Sequence, residues 1–559
     1  MSASSTDPVK KIVIVGGVAG GASAAARARR LSEASEIVVL ERGNDPSFAN
    51  CGMPYYVGGQ IATRDKLLVS PIERLQQRYR LDVRVRQSVE KIDREKKQVE
   101  VRDLTTGKVY TESYDKLILA PGAAPLRPPL PGIDLPGIYT LRNLDDADRL
   151  LAAAHGAKQA VIIGGGFIGL EMAENLVHRG IKTTVVERNT QILTPWDAEM
   201  AAPVAEHLKS KGVELILGDS AESFAESGGG LVVRLGSGAD LPADMVVLSI
   251  GVKPENQLAV DAGLEVGPRG GIKVAPTMQT TDPDIYAVGD AVETTDAITG
   301  EPTQIPLAGP ANRQGRIAAD HIFGRDSTYR GTQGTAVVGV FDMTAAMTGL
   351  SEKACERLAI PCEKVYIHPA HHAGYYPGAQ GMTLKLLFSP RDGRVLGAQA
   401  IGGDGVDKRI DVIAMAIQGK MTVYDLEEAE LCYAPQYGSA KDPVNMAGFA
   451  AAGVLRGDQP VLHCHAADNC LVLDVRTPGE HAAGAIDGAV NIPLEELRER
   501  HGELPKDQKI LAYCKVGQRG YMATRLLNQL GYETANLSGG MTTHEHRQQA
   551  VGSLPVSAP

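Results

Sequence analysis

The sequence predicts an α/β protein of several domains, built on two nucleotide-binding βαβ units. Three observations carry this reading. The 559 residues exceed what one core sustains and imply about three or four domains. An apolar strand, a glycine turn and a helix occur twice, in "KIVIVGGVAGGASAAARARRL" and in "QAVIIGGGFIGLEMAENLVHRGIKTTVVERN". The 62 glycines fit the close backbone approaches that such turns demand.

Composition narrows the class. Hydrophobic residues at 43% and charged residues at 22% are ordinary for a soluble globular chain. A net charge of −10 with no long basic run argues against nucleic acid or an anionic membrane as partner. Seven cysteines in irregular spacing argue against a disulfide framework and for a reducing compartment. Cys464 and Cys470 lie near His463 and His465, but zinc-ligand spacing is absent, so linker thiols are the reading and no metal is expected. The N-terminal "KKIVIVGG" mimics a secretory signal, yet a first strand entering a glycine turn explains it better. No segment has the ~20 apolar residues that span a bilayer, and a cytoplasmic protein is expected.

In the first unit, Gly16 and Gly21 fit G-x-G-x-x-G, while Val18 replaces the middle glycine, and the second strand ends at Glu41. Glycines let backbone approach a pyrophosphate, the helix start offers free N–H groups, and the carboxylate can hold ribose hydroxyls. The second unit has an intact fingerprint in Gly164, Gly166 and Gly169, with Glu187 closing its strand. An acid there favours NADH because it repels a 2′-phosphate, and the neighbouring Arg188 leaves NADPH open.

With "YDKLILAPGAAP" between these units and "TDPDIYAVGDAVE" after them, residues 10 to 450 resemble the FAD-dependent pyridine nucleotide–disulfide oxidoreductases. The resemblance implies FAD on the first βαβ and NAD(P)H on the second. It implies FAD contacts from Gly16, Val18, Ala19, Gly20 and Gly21 in the turn, and from Glu41, Arg42 and Asn50 beyond it. Ala120 and Gly122 in the interdomain link, Asp290 toward the ribityl chain, and Ala308 complete that set.

"SFANCGMPYY" places a single cysteine, Cys51, where most disulfide reductases of this family carry two cysteines separated by four residues; here the second position is Tyr56. This resembles the single-cysteine branch of coenzyme A disulfide reductases, persulfide reductases, and NADH oxidases and peroxidases. The oxidase and peroxidase members have a histidine in the first glycine turn where this chain has Ala19, which disfavours peroxide. A Cys51 thiolate, its pKa lowered by helix dipoles and polar groups, is expected to attack a disulfide or sulfane sulfur, so that the substrate supplies the second sulfur. "HHAGYYPG" and "ELCYAPQYGSAKDP" hold Tyr375, Tyr376, Tyr433 and Tyr437. By resemblance, Tyr376 and Tyr433 reach the partner subunit's cysteine as general acids, which implies a homodimer. Arg30 is implied to meet the coenzyme A phosphates, with Ser47 and Asn50 lining the thiol end.

After a Gly/Pro/Asp break, "LVLDVRTPGEHAAGAIDGAVNIPLEEL" and "KILAYCKVGQRGYMATRLLNQLGY" resemble the rhodanese fold. Asp474, Arg476 and Glu480 match, and Ala485 stands where histidine is usual, which puts stability in more doubt than catalysis. Cys514 ends a strand and opens the loop "CKVGQR" before a helix near Gly520; loop N–H groups, the helix dipole and Arg519 are expected to hold a thiolate and then a persulfide.

The expected architecture is therefore α/β, with two Rossmann-like nucleotide-binding domains, an α+β dimerisation domain and a C-terminal α/β rhodanese domain. The boundaries are 1–115 with 255–330 for FAD, 116–254 for NAD(P)H, 331–452 for dimerisation, 453–464 for a linker and 465–559 for rhodanese. The expected activity is NAD(P)H-driven reduction of coenzyme A persulfide, polysulfide or coenzyme A disulfide, with coenzyme A as carrier. The alternatives are an NADH oxidase or peroxidase cycling a Cys51 sulfenic acid, and a sulfur-carrying or redox-sensing flavoprotein.

Overall fold

The computed structural model describes residues 9–463 and 470–552, so Cys464 and His465 lie outside the described residues. The chain forms two compact units, Met1–Val186 with Ser220–Thr332, and Glu187–Asp219 with Gln333–Pro559.

In the first unit, β1 (Lys11–Val15), α1 (Ala19–Leu31) and β2 (Glu36–Glu41) make the first βαβ. Ile12 to Val15 are buried, the two-sided apolar run of a central parallel strand. The parallel sheet runs Ile285–Ala287, Lys116–Leu119, β1, β2, Asp82–Val85, with Val13 in register with Val38 and Leu117. Small residues let α1 lie close on the helix Ala308–Ile322: a Cβ at Gly315 would strike the Gly20 carbonyl. α2 (Met53–Gly58) follows a tight 3₁₀ turn, Asn50–Gly52. The second βαβ comprises β3 (Gln159–Ile163), α3 (Phe167–His178) and β4 (Lys182–Glu187), with β3 paired in parallel to β4 and to Met245–Leu248.

The second unit begins with α4 (Ala198–Ser210). An antiparallel sheet follows, in the order β5 (Ala336–Val340), β6 (Met343–Gly349), Val395–Gly402, Met382–Phe388, Glu363–Ile367. α5 (Glu352–Arg357) precedes its edge strand β7 (Glu363–Ile367), and the strands Met382–Phe388 and Val395–Gly402 are β8 and β9. Every residue of β8 is buried, Lys385 included. Its ammonium lies 2.8 Å from Asp197, 2.6 Å from Glu199 and 2.6 Å from Glu352, and Asp197 also accepts the backbone N–H of Glu352 and Lys353. Residues 187–219, which the sequence assigns to the NAD(P)H domain, group with the second unit, and this cluster is one of their ties to it.

The C-terminal part is a parallel sheet ordered β10 (Val461–Leu462), β14 (Thr534–Leu537), β13 (Ile510–Tyr513), β11 (Leu471–Asp474), β12 (Val490–Asn491). Helices α6 (Gln518–Gln529) and α7 (Gly540–Gly552) cover it. It joins β7 through Tyr366 N–H to Ser538 Oγ at 3.3 Å and His368 Nε2 to Thr543 Oγ1 at 2.9 Å. Among the described residues, no helix is long and apolar enough to cross a membrane.

Candidate active site

A cavity of about 810 Å³ opens at the glycine turn after β1. Gly16, Val18, Ala19, Gly20, Glu41, Arg42, Asn50, Ala120, Gly122 and Asp290 all line it, so ten of the twelve FAD contacts implied by the sequence share one space. Gly21 and Ala308 are not part of the lining. Gly21 instead allows the turn to close, since a Cβ there would strike the Gly16 carbonyl, and Ala308 opens the helix packed on α1. Gly16 has φ +96° and sits against the Ala120 carbonyl, where a side chain has no room. Val18 caps α1 at φ −90°, outside the left-handed region that favours glycine.

The cavity fits a dinucleotide. The first N–H groups of α1 have no intrahelical acceptor and face a site for phosphate. Glu41 accepts the Gly17 and Gly43 N–H groups, each at 2.7 Å, which fixes its carboxylate at the end of β2 as a ribose-holding position. Arg42 and Arg142 both pair with Glu255, the latter with two arms at 2.8 and 2.7 Å.

Cys51 follows the cavity-lining Asn50 in the turn ahead of α2 and is exposed. The lowered thiol pKa expected at Cys51 beside bound flavin is not what the protein groups alone favour. Partial withdrawal from water, then the carboxylates of Glu171 and Asp290, push the Cys51 thiol up, against the lowering effect of a backbone hydrogen bond. The six-residue α2 is too short a dipole to outweigh two acids. Glu171 itself is pushed up to about 7, mainly by burial, and Tyr55 Oη donates to it at 3.4 Å. Neither Glu171 nor Tyr55 was singled out from sequence. Tyr55 stands four residues after Cys51 on the next helical turn, and Glu171 ends the "FIGLE" run of α3, so helical spacing was the available signal.

Ser47 takes a left-handed φ of +52° and bonds through its N–H to the Gly17 carbonyl at 2.8 Å, but it does not line the cavity. Arg30 is exposed at the end of α1, also off the cavity, whereas the adjacent Arg29 is buried and bound to five backbone carbonyls. In the second fingerprint, Gly164 has φ +109° and Gly169 leaves no room for a Cβ beside the Gly164 carbonyl. Gly166 caps α3 in extended backbone. Glu187 is buried and accepts from the Asn189 backbone at 2.9 Å, while Arg188 is exposed.

In the second unit, Tyr375, Tyr376, Tyr433 and Tyr437 are exposed. The Tyr433 hydroxyl meets that of Tyr375 at 2.8 Å, and Tyr376 packs edge-on to His372.

Cys514, 1% exposed, lies at the end of β13, and α6 starts at Gln518, two residues before the expected point. Gly517 at φ +93° turns the loop, and the Met541 and Thr542 N–H groups of α7 hold the Cys514 and Lys515 carbonyls at 2.8 and 2.9 Å. Arg519 pairs with Glu480 through two arms at 2.8 and 2.6 Å, holding that carboxyl at about 2, and sets its positive charge near Cys514. Asp474 is fully buried and takes Arg476, the Tyr513 hydroxyl and the His481 ring, the last two at 2.9 Å each. His481 thus sets an imidazole against this buried carboxylate. Its position one turn into the helix Pro478–Ala482 gave no sequence signal.

Residues 10–315 match the family model for pyridine nucleotide-disulphide oxidoreductases, residues 335–442 the dimerisation domain of that family, and residues 461–545 a rhodanese-like domain. The chain is 34% identical over 446 residues to a coenzyme A disulfide reductase of Staphylococcus haemolyticus, covering 79% of this chain and 99% of the relative. It superposes on the reduced CoADR-RHD of Bacillus anthracis with TM-score 0.94 at 51% identity, covering 96% and 98% of the two chains. An NAD-dependent persulfide reductase of A. fulgidus gives TM-score 0.90 at 36% identity, covering 95% and 99%. Its cofactors are accordingly FAD and a nicotinamide nucleotide, and the chain belongs to the pyridine nucleotide-disulphide oxidoreductases, with a rhodanese-like domain at its C-terminal end.

Proposed function

We propose that the enzyme reduces coenzyme A persulfide, polysulfide or coenzyme A disulfide with NADH, through an adduct on Cys51. The observation that carries this is the lone Cys51 next to Asn50 on the rim of the dinucleotide cavity, in a chain that holds a second cradled cysteine, Cys514. The names of the relatives support the same substrate class.

FAD, when bound, supplies the electron pair that the nicotinamide brings. Glu41, Asp290 and the N-terminus of α1 would hold it. Cys51, as thiolate, attacks the sulfane or disulfide sulfur and releases a thiol, keeping the other half of the substrate as a persulfide or mixed disulfide. Two-electron reduction of that adduct frees Cys51 and releases sulfide or coenzyme A thiol. Because nearby carboxylates hold the Cys51 proton, thiolate formation needs an acceptor for it, and Tyr55 with Glu171 lies on that side. In a homodimer, the exposed Tyr376 and Tyr433 would come from the partner subunit to protonate the departing thiolate. Arg30, Ser47 and Asn50 would take the coenzyme A phosphates and thiol arm. A buried acid at Glu187 favours NADH over NADPH. Cys514, beside Arg519 and the α6 N-terminus, is suited to carry sulfane sulfur as a persulfide. The six described cysteines are all free, which fits a reducing, cytoplasmic setting.

The experiment is steady-state NADH consumption with coenzyme A persulfide and coenzyme A disulfide, in wild type and in Tyr433→Phe. A slower turnover in the variant supports the tyrosine role, and wild-type rates remove it.

A further inference from the structure

Between β14 and α7 runs the segment Ser538-Gly539-Gly540, whose two glycines take left-handed φ of +73° and +59°. Each glycine faces a different neighbour. A Cβ at Gly539 would strike Tyr366 of β7, and a Cβ at Gly540 would strike the Cys514 carbonyl. The segment is therefore pressed between the edge strand of the dimerisation sheet and the loop that carries the Cys514 thiol.

Hydrogen bonds fix both sides of it. Toward the sheet, the Tyr366 N–H donates to Ser538 Oγ at 3.3 Å. The His368 ring bridges Thr383 Oγ1 on β8 and Thr543 Oγ1 on α7, each at 2.9 Å. Burial pushes that imidazole down to about 3, so it is neutral and has one donor and one acceptor for the two hydroxyls. Toward the loop, the Met541 and Thr542 N–H groups hold the Cys514 and Lys515 carbonyls at 2.8 and 2.9 Å. The Thr542 hydroxyl also donates to the Lys515 carbonyl, at 3.0 Å. In a trans peptide the carbonyl and the following N–H point opposite ways, so these bonds turn the Lys515 and Val516 N–H groups away from α7. Neither of those two N–H groups has a backbone acceptor among the described residues.

We propose that His368, together with the Tyr366 N–H, is a positioning residue for sulfane-sulfur transfer at Cys514. By holding Thr543 and Ser538 it fixes the start of α7, and through Met541 and Thr542 it fixes the direction of the N–H groups in the thiol loop. The inference rests on the reading of Cys514 as a sulfane-sulfur carrier. The sulfur-carrying loop is thus completed by the dimerisation sheet of the same chain.

The test uses the full-length flavoprotein in single turnover. Inorganic polysulfide loads Cys514 as a persulfide, excess is removed, and cyanide takes the outer sulfur as thiocyanate and returns the thiolate. Asparagine at position 368 puts its amide where Nδ1 stands and keeps the Thr383 bond, whereas glutamine reaches the Nε2 position and keeps the Thr543 bond. His368→Asn should slow thiocyanate release roughly five- to tenfold, and His368→Gln should stay within about twofold of wild type. Ser538→Ala should slow release by a factor similar to His368→Asn, and it decides alone if the asparagine chain does not fold. Wild-type rates in both His368→Asn and Ser538→Ala would overturn the proposal. So would equal slowing by asparagine and glutamine, which marks packing alone. Release from Cys514→Ser at the wild-type rate would overturn the reading of Cys514 and the proposal with it.

Discussion

Tyr55 Oη stands 3.4 Å from Glu171 Oε1, joining the helix that follows Cys51 to the helix that opens at the second glycine turn. Glu171, pushed up to about 7 by burial, changes charge near neutrality, and its ionised form raises the Cys51 thiol. Glu171→Gln should therefore move the pH midpoint of Cys51 alkylation by iodoacetamide to lower pH. An unchanged midpoint would remove Glu171 from the control of this cysteine.

The ammonium of Lys385 is the shared partner of three buried or partly buried carboxylates, Asp197, Glu199 and Glu352. Removing one partner of such a cluster leaves uncompensated charge, at a cost of roughly 3–5 kcal/mol. Lys385→Met should lower stability in denaturant unfolding by that order. Replacing the three acids with Asn, Gln and Gln in the same chain should recover part of the loss. A Lys385→Met variant as stable as wild type would show that the cluster contributes nothing net.

The same cluster sets an acid limit. Burial alone would push Glu352 up, but Lys385 and Lys364 outweigh it and hold the carboxyl at about 2, below its ordinary value of 4.5. A depressed carboxyl contributes stability that is complete above the unfolded value and is lost as pH falls from about 4.5 toward about 2. Unfolding curves across that window should show the loss in wild type and a flatter dependence in Glu352→Gln. Equal slopes in both would contradict the assignment.

Arg519 is held by the Glu480 carboxylate with its positive charge near Cys514. A hydrogen bond to a charged group contributes about 1.5–3 kcal/mol, so Arg519→Ala should slow sulfur transfer from a sulfane donor through Cys514 by roughly tenfold to a hundredfold. Lysine lacks the two-armed fork and should restore only part of the rate. Single-turnover transfer to cyanide reads this directly, and a rate unaffected by Arg519→Ala would leave the cradle to backbone groups alone.

Both glycine turns and the two acids that close their second strands were legible because each is set by local sequence. A turn that needs positive φ, as at Gly16 and Gly164, writes itself as glycine, and a buried parallel strand writes itself as an apolar run. Val18, a break in the motif, at least calls on no left-handed backbone. Long-range pairings were not legible. Lys385 and Asp197 are 188 positions apart, and nothing in "TLKLLF" announces a buried lysine. For the same reason the grouping of residues 187–219 with the second unit, the Tyr375–Tyr433 contact and the His481–Asp474 contact emerge only from packing. The carboxylates around Cys51 were not legible either, since Glu171 and Asp290 arrive from distant segments.

The central claim is that Cys51 reduces a sulfur bonded to sulfur. The most direct measurement is anaerobic NADH consumption by the full-length flavoprotein with coenzyme A persulfide, coenzyme A disulfide and hydrogen peroxide in parallel, for wild type, Cys51→Ser and Cys514→Ser. The account predicts rapid turnover with at least one sulfur substrate, release of sulfide or coenzyme A thiol, and loss of that turnover in Cys51→Ser. Rapid peroxide turnover with neither sulfur substrate consumed, or full sulfur activity in Cys51→Ser, would contradict it.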